Sequence, residues 1–224
     1  MLSFAALLVD KKNTLILYDL VQGAFILAVI AVFVIGLAIK LYLTPRAEDM
    51  RRKDLLSKAF GVPLTHEQSI GYYNNEQTQP IRFLGVAYME NSFFSKAVLL
   101  KMARRERAKV AIYVVGFLVA VLNRNTDLAF AATAAVAVFS EQIVSRWLRL
   151  EWLRSRCEAT YDSLYSLFQT SPASAALQAK VLEAATFYET SKANGGIAFS
   201  EGIFFELKPM LSDEWEQVKR TLKL

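Results

Sequence analysis

LVQGAFILAVIAVFVIGLAI, residues 20–39, is an uncharged run of twenty residues set between Asp19 and Lys40. A helix rises about 1.5 Å per residue, so such a run covers the roughly 30 Å hydrocarbon core of a bilayer. It reads as a transmembrane helix. A cleaved signal peptide would need a basic n-region, a shorter apolar core and a small-residue cleavage site. Here the run is longer, starts later and ends in Lys40-Leu41-Tyr42. Residues 1–19 carry Asp10, Lys11, Lys12 and Asp19, so they add no further span and read as an amphipathic lead-in at the outer interface.

Working outward, a second apolar block comes as a pair. Val110 to Asn123 and Leu128 to Ser140 are uncharged, and Arg124-Asn125-Thr126-Asp127 lies between them. Each piece is about 20 Å of helix, short of a full crossing. Two crossings completed by flanking residues, a re-entrant hairpin and a buried soluble hairpin all fit that length. Basic residues at both outer ends, with one Arg in the turn, favour two crossings. Trp147 suits the interface at one end, and Lys109 can snorkel at the other.

The net charge of +5 hides a pattern. Lys40, Arg46, Arg51, Arg52, Lys53 and Lys58 follow the first apolar run. Lys96, Lys101, Arg104, Arg105, Arg107 and Lys109 precede the pair, and Arg146, Arg149, Arg154 and Arg156 follow it. The positive-inside rule puts all three clusters in the cytoplasm. Topology alone accounts for them, so direct nucleic-acid binding is not expected. The fold expected is an all-α integral membrane protein with about three transmembrane helices, one plus a hairpin, and cytoplasmic helical segments. The segments are 1–19 lead-in, 20–44 first span, 45–107 cytoplasmic, 108–148 hairpin and 149–224 cytoplasmic tail. The N-terminus lies outside and the C-terminus inside.

Within the cytoplasmic parts, Asp54 to Phe60 reads as a short helix ended by Gly61 and Pro63. Arg82 to Ala108 should be helical and run into the hairpin. Arg146 to Gln169 continues the last span. Ser171 or Ser174 starts a helix over Ala175–Lys192, closed by Asn194-Gly195-Gly196. Ser200–Leu211 and Asp213–Leu222 complete a helical tail.

No catalytic centre emerges. One cysteine, Cys157, excludes an internal disulfide, and one histidine, His66, excludes a shared histidine metal site. Gly195-Gly196 is followed by Ile197-Ala198-Phe199 and lacks the Lys-Ser/Thr of a phosphate loop. Neither cofactor nor metal is expected, and an enzyme gains ground only if His66, Glu67, Tyr72 and Tyr73 share a cleft. The hairpin offers more. Ala129, Ala131, Ala132, Ala134, Ala135 and Ala137 keep its second helix slim, which lets backbones approach in lipid. Ala131 and Ala135 are candidates for a seam, either within the chain or between copies. Glu141, at the inner end, either lines a cation-attracting mouth or snorkels at the interface. Arg104, Arg105, Arg107, Arg146 and Arg149 form the candidate basic cytoplasmic face, with membrane lipid as one partner.

Three stretches carry a resemblance: Asp54 to Pro63; Gly71-Tyr72-Tyr73 to Pro80 with Glu90-Asn91-Ser92; and Ala185 to Trp215. With the close membrane hairpin they resemble the SLATT-type effectors of prokaryotic conflict systems, and more closely the SMODS-associated four-transmembrane effector family. The chain departs from that family in having three spans and no tryptophan after Pro63. The resemblance implies a homo-oligomeric effector of the bacterial inner membrane in antiphage defence. Such an effector forms or gates a pore after a signal from a cytoplasmic partner protein or nucleotide messenger. The alternative is a non-pore anchor or sensor that recruits a soluble partner. The topology expects Ala5→Cys and Asn125→Cys to react with an impermeant maleimide on intact cells, while Cys157 stays silent; labelling from the cytoplasmic side alone would invert it.

Overall fold

The computed structural model describes residues 15–66, 75–122, 135, 138, 139, 141–170 and 173–224. Every regular element among them is helical. Two compact units emerge: Met1–Asp54 with Pro63–Gln68, and Leu55–Val62 with Ser69–Leu224.

The first unit is dominated by α1 (Leu15–Ala38), which passes through a π turn (Ile39–Leu43) into α2 (Thr44–Phe60). The stretch Asp19–Phe60 is the one helix among the described residues that is long and apolar enough to cross a membrane, and its apolar window has no buried residue. The expected span is therefore a helix, but residue 44 does not end it, and no separate short helix starts at Asp54. The reason lies at Pro45. A proline ring collides with the carbonyl four residues back and offers no N–H. The π turn widens the helix just before it, and the Thr44 N–H donates to the Ile39 carbonyl five residues back. The helix continues through the proline instead of breaking. Glu48–Arg51 at 2.8 Å and Asp49–Lys53 at 2.7 Å then bridge successive turns of α2. The helix stops at Phe60 because Gly61 takes φ +66, a left-handed conformation that glycine adopts freely.

The second unit is a helical bundle built on α3 (Pro80–Leu122), a single 43-residue helix. α4 (Arg146–Thr170) follows a π turn at Glu141–Ser145, and α5 (Ser174–Gly195) and α6 (Glu201–Leu222) complete it. α4 runs antiparallel to α3. Phe93 faces Tyr161 at 5.6 Å between ring centroids, and Arg107 meets Glu151 at 2.5 Å. α5 returns parallel to α3, with the Ser95 and Tyr188 hydroxyls 2.9 Å apart. α6 lies across α3, where Trp215 packs 5.9 Å from Phe93 and Phe204 packs 6.0 Å from Phe94. The core holds Leu84, Met89, Leu99, Leu150, Leu153, Leu164 and Val181, all essentially removed from solvent. Each such side chain contributes about 1.5–3 kcal/mol.

The ends of α5 and α6 have local causes. Gly196 takes φ +56 and its N–H donates to the Lys192 carbonyl at 3.2 Å, so Gly195-Gly196 is a helix end rather than a phosphate cradle. α5 starts at Ser174, one of the two serines expected to start it, with Ala173 at the cap position and no side-chain cap bond. The α6 N-terminus is capped by Ser200, whose Oγ accepts from the Ile203 N–H at 3.4 Å. The expected break at Ser212 does not occur: α6 runs to Leu222 with Pro209 inside. Proline at 209 removes the donor for the Phe205 carbonyl, and both residues are exposed, where water can replace it.

Close approach fixes one glycine. A Cβ on Gly85 would sit 2.8 Å from Phe168 Cζ and 3.0 Å from Val181 Cγ2. Alanine gains about 1 kcal/mol in helix propensity, but overpacking costs about 1–3 kcal/mol. Gly85→Ala is expected to lower bundle stability by about 1 kcal/mol, read as a shifted denaturant midpoint. In a double-mutant cycle, Phe168→Leu should reverse part of that loss; strict additivity would contradict the packing account.

Candidate membrane-interface site

From Val110 onward α3 leaves the bundle core. Ile112 is 72% exposed, Val115 59%, Val119 65% and Leu122 78%. The spacing of these residues puts them on one outward face. Val110 is buried on the other side, and Phe117 meets the edge of Phe139 at 5.8 Å. The chain returning toward Glu141 therefore lies against α3 here. The Phe139 N–H donates to the Ala135 carbonyl at 2.9 Å, a helical bond.

Charge begins where the bare apolar face ends. Glu106, on the side facing α4, bonds Lys109 at 3.0 Å and lies 3.7 Å from Arg146. Glu151 accepts from Arg107 Nε at 2.5 Å, Trp147 Nε1 at 3.1 Å and Arg154 Nε at 3.4 Å. These donors, Arg107 foremost, hold the Glu151 carboxyl below its ordinary range despite opposing desolvation. Two carboxylates thus clamp α3 to α4 within a ring of cations. Trp147 is positioned by this clamp, with a half-buried ring.

On the outward face of α3, Lys101, Arg104 and Arg105 share a helical stripe with the exposed Ala108, Ile112 and Val115. Glu206 of α6 reaches back to this stripe. It pairs with Lys101 and lies 4.0 Å from Arg105, and the Lys101 hydrogen bond holds its carboxyl low. Phe205 beside it is 57% exposed.

Of the residues singled out by sequence, Arg104, Arg105, Arg107 and Arg146 all gather at this boundary, exposed; Arg149 is half-buried there. Ala135 is half-buried and Val138 buried, whereas Ala131 lies outside the described residues. Glu141 opens the π turn, and its side chain is outside the described set. His66 is exposed, and Glu67, Tyr72 and Tyr73 fall outside the described residues. Among the described residues no group of three or more His, Cys, Asp or Glu could hold a metal. Cys157 is buried in the bundle, which pushes its thiol up to about 12. Its silence toward a maleimide therefore reports burial as well as sidedness, and the engineered cysteines carry the topology test.

Two charged groups named in the sequence only as one of a basic cluster and as part of the resemblance, Lys96 and Glu90, prove to be partly withdrawn from water. Burial pushes the Glu90 carboxyl up to about 7; Lys219 opposes the rise and Glu216 adds to it. Lys96 holds its ammonium 3.6 Å from the centroid of Tyr161 and 5.5 Å from that of Phe93. Burial lowers its pKa, against Asp162, Glu158 and Glu214. Both depend on which helices meet, and no local pattern marks them. No protein family, curated protein or solved structure matches this chain.

Glu90 and Glu151 predict opposite pH responses. A raised carboxyl stabilises the fold below its unfolded pKa and loses that contribution as pH climbs through about 7. A depressed one stabilises above its unfolded pKa and loses the contribution as pH falls through the folded value. Glu90→Gln should therefore raise thermal stability at pH 8 and leave it nearly unchanged at pH 4. Glu151→Gln should cost about 1 kcal/mol at pH 7 and nothing in strong acid. Melting curves across pH check both; parallel curves for variant and parent would contradict the assignments.

Proposed function

We propose that the protein is a membrane effector whose hairpin assembles with copies of itself into a regulated pore, gated by the cytoplasmic bundle. The observation that carries this reading is α3 itself. Its first thirty residues are the bundle's central strut, and its last thirteen bear an uncovered apolar face. Five large side chains there, Ile112, Val115, Leu118, Val119 and Leu122, partly exposed, would forgo about 5–10 kcal/mol in water, comparable with the stability of an ordinary domain. Lipid or another copy must cover them. A signal that repacks the bundle acts on the same unbroken helix that presents this face. Three crossings, with the N-terminus outside, fit the basic residues at Lys101–Lys109 and Arg146–Arg156 on one side of it. The resemblance to defence effectors supplies the setting: the bacterial inner membrane during phage infection, with a partner protein or nucleotide messenger as trigger.

A recruiting anchor is the second reading, favoured by Leu182 on α5 and Met210 on α6, apolar side chains exposed on the bundle. Paired variants separate the two. Ala135→Leu overfills the hairpin seam at about 1–3 kcal/mol, enough to shift oligomer populations severalfold. Glu141→Gln removes charge with little change in volume. Cross-linking should fall for Ala135→Leu, and cation flux in liposomes should fall for Glu141→Gln with assembly kept. If both variants match the parent, the hairpin is an anchor and the pore reading is abandoned.

A further inference from the structure

Resting on the reading that the α3 hairpin lies in the membrane, we infer that Lys101, Arg104 and Arg105 form a binding site for the phosphate of an anionic phospholipid, and that Glu206 is the internal carboxylate competing for it. The three cations sit at i, i+3 and i+4 on one face of α3. Continuing along that face, Ala108, Ile112, Val115, Val119 and Leu122 are exposed and apolar. A phospholipid has the same order of parts, with a charged phosphate followed by chains, and it lies parallel to such a helix. The long Lys and Arg side chains reach toward the headgroup plane while their stems stay against the apolar surface.

The charges at the boundary are not equivalent. Glu106 and Glu151 satisfy Lys109, Arg146, Arg107 and Arg154 on the side of α3 that faces α4. Arg104 is exposed on the opposite, lipid-facing side. Lys101 and Arg105 share a single carboxylate there, Glu206, which is itself 56% exposed. Three cations against one carboxylate leave this stripe with net positive charge, next to a surface that chains must cover. Phe205, exposed beside Glu206, supplies an aromatic side chain at the same level. A phosphate diester satisfies Arg104 and shares or takes Lys101 and Arg105 from Glu206. Occupation of the site and the seating of the α6 N-terminus are therefore opposed.

The test uses the full chain in mild detergent, titrated with phosphatidylglycerol or phosphatidylcholine and read by native mass spectrometry. Phosphatidylglycerol should be retained over phosphatidylcholine. Arg104→Gln with Arg105→Gln should reduce that preference about fivefold per charge removed, while Lys180→Gln on α5 leaves it unchanged. Glu206→Gln should increase it, a gain that misfolding does not produce. Glycerol 1-phosphate, which lacks chains, should not compete; competition at equal concentration overturns a phospholipid as the occupant. An unchanged preference in the double arginine variant, or no gain from Glu206→Gln, overturns the site. Asn125→Cys labelling on the same protein separates the two readings. Labelling from the cytoplasmic side alone removes the hairpin crossing on which the site rests. Outside labelling with an unaltered lipid preference removes the site alone.

Discussion

Everything else in the second unit is arranged around an apolar surface that is left exposed among the described residues. α3 has one backbone and two environments. From Leu84 to Ala103 its apolar side chains are packed by α4, α5 and α6, and from Ile112 to Leu122 the outward ones are exposed. Packed side chains are satisfied by burial. The remainder carry a cost in water comparable with the net stability of a domain. α1 shows the same condition more simply, with no buried residue in its apolar window.

That constraint explains where the ion pairs fall. Salt bridges on a wet surface contribute little, and those along α2 belong to that class. Glu106 and Glu151 are different because they retain only a small part of their exposure; Glu151 accepts from three donors, and Glu106 bonds Lys109 with Arg146 3.7 Å away. A carboxylate that accepts two or three charged or polar hydrogens is held in one geometry. Placed one turn below the bare apolar face, these two carboxylates set the separation of α3 and α4 at the point where packing by α5 and α6 gives out. The Phe117–Phe139 ring contact continues the same antiparallel register beyond the clamp.

Sequence reading found what depends on runs and spacing. The uncharged stretch 20–39, the helix through residues 82–108, the return over Arg146–Gln169 and the glycine end of α5 are all local signals, and each stands in the structure. The boundaries expected at residue 44 and at Ser212 are not helix ends: the first helix runs on through Pro45, preceded by a π turn, and α6 runs on through Pro209, where the Phe205 carbonyl is exposed. Both escapes depend on what surrounds the proline, which composition does not encode. Among candidate site residues, the arginines were singled out by their positions flanking the apolar pair in the sequence. The sorting of those arginines was not legible: that Arg107 and Arg146 answer to glutamates across the helix pair, while Arg105 turns to Glu206 a hundred residues away, is a property of the packed bundle. The burial of Glu90 and Lys96 was not legible for the same reason.

The way α6 is held then follows. It rests on α3 and only lightly on α4, through Trp215 further along and through Phe204 and the Glu206 pairs near its N-terminus. Its aromatic contacts are non-directional burial and tolerate small shifts, whereas the Glu206 pairs depend on charge and on what else competes for Lys101 and Arg105. An anion that binds those cations more tightly when Glu206 is away must, by linkage, loosen the α6 N-terminus by the same factor. The converse also holds: a ligand that pulls α6 outward frees two cations beside the bare stripe of α3. The bundle and the exposed apolar stripe of α3 would in this way be coupled through one carboxylate, without any bending of the 43-residue helix that joins them.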